Sequence, residues 1–176
     1  VFEHHLRDGL TAVEYYCESL KLTPAHPETR AALSTLFADR QRLDEIGADI
    51  RVIASTLEPL TREDEEVSEL VEVLDVLQEG EMDPLVRSEA LIEIAGLRDE
   101  RLDDKAGAFE ARLSALKLQP SNLDNRLTLQ NLAHSTQGYE PLADALEFAA
   151  MDVLDYELKC QLLLELGKIN ETFLEQ

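Results

Sequence analysis

Residues 12–37, AVEYYCESLKLTPAHPETRAALSTLF, return 96 positions later as residues 108–133, AFEARLSALKLQPSNLDNRLTLQNLA. Ala12/Ala108, Glu14/Glu110, Leu20/Leu116, Lys21/Lys117, Leu22/Leu118, Pro24/Pro120, Arg30/Arg126, Leu33/Leu129 and Leu36/Leu132 are identical in this register. A second echo has a spacing of 72: DPLVRSEALIEIAGL (83–97) against DYELKCQLLLELGKI (155–169), with Asp83/Asp155, Leu91/Leu163 and Glu93/Glu165 matched. Self-similarity of this kind marks a repeat architecture, in which one unit cannot bury its apolar face alone and stacks on its neighbours. Such a stack usually works through an extended surface and not through a catalytic pocket.

The composition suits helices. Gly and Pro number only 7 and 6 in 176 residues and Trp is absent, so Leu, Ala, Ile and Val must do the packing. Apolar stripes recur at spacings of three and four, as in Ala106, Phe109, Leu113 and Leu116. The short breaks LTPAHP (22–27) and LQPSN (118–122) carry a proline where one helix must end, and Asp83-Pro84 reads as an N-cap with a first-turn proline. Ser121 or Asn122 is the candidate cap after Pro120.

These signals give ten expected helices, near 1–8, 11–22, 26–38, 42–56, 62–79, 84–101, 104–118, 122–135, 139–152 and 156–175. The two echo spacings differ by about one helix. Residues 61–80, TREDEEVSELVEVLDVLQEG, have no counterpart and are expected to form an inserted amphipathic helix opened by a capping-box-like Thr61/Asp64 pair. The fold expected is therefore all-α, one helical repeat domain over 1–176 built from antiparallel hairpins. The chain opens at Val1 and runs to its end in a helical pattern, which leads to the expectation of a fragment of a longer array.

The formal net charge of −21 argues against nucleic acid and anionic membrane as partners and favours a basic one. No apolar run approaches the length of a membrane span. Cys17 and Cys160 fall inside helical patterns with no CxxC spacing, as expected of free thiols in a reducing, cytoplasmic setting. No signal peptide is visible.

The unit closing at Pro120 resembles a tetratricopeptide repeat (TPR). With Glu89 as its first residue, Gly96, Ala108 and Ala115 fall on the small positions and Ile92 on the first large apolar one. The unit closing at Pro24 matches through Ala12, Tyr16 and Ser19. Asp99 and Arg112 stand where the family carries aromatics, and the alternation of close and loose units looks like the arrays of large bacterial TPR proteins.

The resemblance implies a right-handed superhelical solenoid whose first helices line a concave groove for partner peptides or helices. In that register the groove candidates are Ala90, Glu93, Leu97, Glu100 and Arg101, then Asp124, Leu127, Asn131 and His134, then Leu162, Glu165, Ile169, Thr172 and Phe173. This mixed surface, apolar spots ringed by acid, suits a partner with aliphatic anchors and basic flanks. Exposed end faces of such a stack also offer a route to end-to-end self-association.

No catalytic constellation appears: there is no GxGxxG, P-loop, GxSxG or HExxH. His4, His5, His26 and His134 are scattered, and Glu3-His4-His5 cannot converge on one ion from a helix. Acidic pairs such as Asp103-Asp104 are expected by chance among 37 carboxylates. The expectation is a non-catalytic interaction scaffold needing no cofactor or metal. The alternative is a regulatory or sensor segment controlling an attached enzyme or DNA-binding domain.

Overall fold

The computed structural model describes residues 9–64 and 67–174, and every regular element among them is helical. In chain order these are α1 (Gly9–Leu22), α2 (Pro27–Ala38), α3 (Arg40–Ile46), α4 (Ile50–Thr61), α5 (Ser68–Glu79), α6 (Pro84–Leu102), α7 (Lys105–Leu118), α8 (Leu123–Thr136), α9 (Tyr139–Asp152) and α10 (Tyr156–Ile169). A π-helical turn, Asn170–Leu174, follows α10. None of these helices is long and apolar enough to cross a membrane. The helix expected over 1–8 lies outside the described residues.

The caps explain most boundaries. Asp83 Oδ1 accepts from the Leu85 backbone N–H at 2.8 Å ahead of Pro84, and Asn122, not Ser121, caps α8 by accepting from Asn125 N–H at 3.0 Å. His26 caps α2, its Nδ1 accepting from Thr29 N–H at 3.2 Å.

Two expected boundaries are corrected. The single helix read over 42–56 is two helices, because Gly47 ends α3 in the left-handed region (φ 69°) and Asp49 caps α4. Thr61 does not open a helix. It lies fully buried in the last turn of α4 with its hydroxyl donating to Glu58 O at 3.0 Å, and α5 begins seven residues later at Ser68. The residues that looked like a capping box are thus a helix end. Gly47→Ala is expected to cost about 1 kcal/mol, since a Cβ disfavours this backbone region, and thermal denaturation followed by circular dichroism measures it.

The chain divides into two compact units, Val1–Gly80 and Glu81–Gln176. In the first, α1 packs on α2 and α4, α2 on α4, and α4 on α5. Val13, Cys17, Leu20, Leu33, Phe37, Leu43, Ile53 and Leu57 form its buried centre. In the second, α6 packs on α7, α7 on α8 and α9, α8 on α9, and α9 on α10. Its core is rich in alanine: Ala108, Ala115, Ala133, Ala145 and Ala149 let the helices approach closely around Leu116, Leu129 and Leu146.

The two contact patterns correspond. Helices α1, α2 and α4 stand to one another as α7, α8 and α9 do, and α4 packs on α5 as α9 packs on α10. The expected insert is therefore a packed helix over 68–79 that occupies, within its unit, the place α10 occupies in the other. Among the described residues, α3 and α6 have no counterpart in this correspondence.

The repeated arginines follow the same rule. Arg30 on α2 pairs with Asp64 just ahead of α5 and approaches Glu69 at 3.9 Å, while Arg126 on α8 pairs with Glu165 on α10. The Asp64 carboxylate raises the Arg30 guanidinium above its ordinary range, chiefly through their hydrogen bond.

Candidate partner-binding cleft

The second unit carries a cleft of about 340 Å³ lined by Leu127 and Gln130 of α8, Tyr139 at the start of α9, Glu165, Lys168 and Ile169 of α10, and Thr172 and Phe173 of the π turn. Helical periodicity builds it. Leu127 and Gln130 are three apart and so share a face, as do Glu165, Lys168, Ile169 and Thr172. Ile169 is buried and forms part of the cleft wall nearest the core, whereas Leu127 and Phe173 are about half exposed.

An ion pair fixes the width. The Arg126 side chain is only 3% exposed, and its Nε donates to both Glu165 oxygens, at 3.1 and 3.2 Å. Its other nitrogens donate to Pro120 O and, at 3.5 Å, to Gln161 Oε1. A guanidinium so deeply placed needs its partners, because an unpaired buried charge is costly. The pair joins α8 to α10, two helices that otherwise meet mainly through α9.

A second clamp closes the far end. Phe173 stacks on Tyr139, with ring centroids 3.9 Å apart and planes 7° from parallel, and His134 Nδ1 lies 3.0 Å from the Tyr139 hydroxyl. The π turn is thereby held against the first residue of α9. Because Arg126 neutralises Glu165, Lys168 is the remaining full charge in the lining, and it is exposed.

The expected groove residues divide. Leu127, Glu165 and Ile169 line the cleft, with Thr172 and Phe173 beside them. Asn131 and His134 are exposed on α8 outside the lining, His134 reaching it only through Tyr139. Ala90, Glu93 and Leu97 are half-buried on α6, Glu100 and Arg101 are exposed at its C-terminal end, Asp124 is exposed on α8, and Leu162 is not a groove residue but fully buried core on α10.

Near the C-terminal end of α6 lies Arg112. It is partly buried, which lowers its pKa, and the charges of Asp99 and Glu100 act to raise it. Arg112 Nη1 donates to Asn125 Oδ1 at 3.2 Å, and Asn125 Nδ2 donates back to Arg112 O at 3.1 Å, tying α7 to α8.

Three residues of the lining were not singled out from sequence: Gln130, Tyr139 and Lys168. Gln130 and Lys168 follow from the three-residue spacing past Leu127 and Glu165. Tyr139 comes from the next helix, and only packing reveals it. Compared with protein-family models, curated proteins and solved structures, the chain has no match.

Proposed function

We propose that this chain is a non-catalytic protein–protein interaction module, a TPR-like stack of helical hairpins that grips a partner helix or extended segment in the cleft between α8 and α10. The supporting observation is the gathering of half-exposed Leu127 and Phe173 around Ile169 on a frame locked by Arg126–Glu165. An apolar notch with rigid walls suits aliphatic side chains, since little ordering entropy remains to be lost on binding. The acidity of the chain as a whole favours basic flanks on the partner. Lys168 repels a basic residue inside the notch, so the flanks lie outside it.

The test is a peptide array of aliphatic segments with and without basic flanks, probed with the intact chain. Leu127→Asp is expected to weaken the best binder at least about tenfold, equivalent to 1.4 kcal/mol, with an unchanged circular dichroism spectrum. Equal binding by the variant rejects the cleft as the site.

A further inference from the structure

The 96-residue spacing that relates Arg30 to Arg126 also relates Glu69 on α5 to Glu165 on α10. Carried along the two helices, it sets Glu72 against Lys168 and Val76 against Thr172, and both of those α10 residues line the cleft of the second unit. Ile50 opens α4 as Tyr139 opens α9. At the matching place the first unit has a cleft of its own, about 680 Å³ in volume, and Ile50, Glu72 and Val76 all line it. What changes is the chemistry: the position that carries Lys168 in one unit carries a carboxylate in the other.

Helical spacing makes one wall acidic. Glu72, Asp75 and Glu79 follow one another along α5 at intervals of three and four, with Glu72 and Glu79 exposed and Val76 half-buried among them. Two arginines from other helices share the lining. Arg40, the first residue of α3, holds its guanidinium carbon 4.4 Å from the centre of the Phe37 ring. Arg51 crosses the end of α5, where a Cβ on Gly80 would come within 2.8 Å of its Cδ, and it pairs with Asp49 at 2.9 Å. Three carboxylates thus accompany two guanidiniums, one of which Asp49 already neutralises, so the cleft is negative on balance.

We propose that this first-unit cleft is a second binding site, independent of the cleft between α8 and α10, that takes a lysine or arginine side chain from a segment of a partner protein. Long basic side chains lay an aliphatic stem on apolar surface and keep the charged head among polar groups. Ile50 and Val76, both half-buried, receive the stem, and Glu72 and Glu79 receive the head. Charge complementarity selects a basic segment over an acidic one.

The probe is an end-blocked peptide with one lysine between two isoleucines in an alanine and glutamine background. It is titrated against the intact chain and followed by the methyl NMR signals of Ile50 and Val76. The expected result is saturable binding that shifts both signals, weakened about tenfold or more when norleucine replaces the lysine, and to the same degree by Glu72→Lys. Glu72 is exposed, so loss of binding in that variant with an unchanged circular dichroism spectrum is not loss of folding. Glu110→Lys makes the same charge change on an exposed residue of α7 and is expected to leave the affinity within about twofold, which separates the cleft from the acidity of the whole chain. Leu127→Asp leaves this binding unchanged, so failure here and failure of the other cleft are read separately. Absence of saturable binding overturns the proposal, as does an equal loss in Glu72→Lys and Glu110→Lys. Tighter binding of the peptide with glutamate in place of lysine also overturns it, assigning the cleft to its arginines. So does binding of putrescine as tight as that of the peptide, which makes a free diamine the occupant.

Discussion

Arg126→Ala is expected to destabilise the protein by about 3–5 kcal/mol, the usual cost of removing one member of a buried ion pair. The substitution strands the Glu165 carboxylate, removes a donor from Pro120 O and empties the space beneath the cleft. Glu165→Gln is expected to cost less, because the Glu165 side chain is 18% exposed and the amide still accepts from Arg126. The double replacement Arg126→Met/Glu165→Leu should recover most of the loss, since well-packed apolar pairs often substitute for buried ion pairs. Urea unfolding followed by circular dichroism measures all three. A loss under about 1 kcal/mol for Arg126→Ala places the pair in the range of exposed salt bridges and removes it as the frame of the cleft.

Leu129→Ala is the second large effect, at about 2–5 kcal/mol, from lost burial plus the cavity left between closely packed helices. Leu129 is fully buried, and so is its repeat counterpart Leu33, which predicts a similar cost for Leu33→Ala in the other unit. Leu127, two residues away and half exposed, serves as the contrast: its alanine variant is expected within about 0.5 kcal/mol of wild type. Comparable losses at 127 and 129 would mean that the helix face assigned to the cleft is instead core.

Most boundaries were legible because capping and proline signals are local. Asp83-Pro84 and the breaks at Pro24 and Pro120 all fall where the structure puts them. The error at 42–62 came from competing local signals. Gly47 and Asp49 break a run that is otherwise periodic, and Pro59 lies inside α4, where a proline ordinarily argues for a boundary. Thr61 and Asp64 satisfy the spacing of a capping box while serving a helix end and an ion pair.

The repeated arginine was visible as an identity, but its meaning was not, because the carboxylate that answers it lies 34 residues away in one unit and 39 in the other. The cleft was half legible for the same reason. Register places Leu127, Glu165 and Ile169 on faces, whereas which faces meet depends on how far successive hairpins rotate.

The most direct measurement is a methyl NMR titration of the isotopically labelled chain with the best peptide from the array. The account predicts that the shifts concentrate on Leu127 and Ile169, with Leu33, Ile53 and Leu57 of the first unit unmoved. Saturable binding whose shifts fall on those first-unit methyls, leaving Leu127 and Ile169 in place, would contradict it.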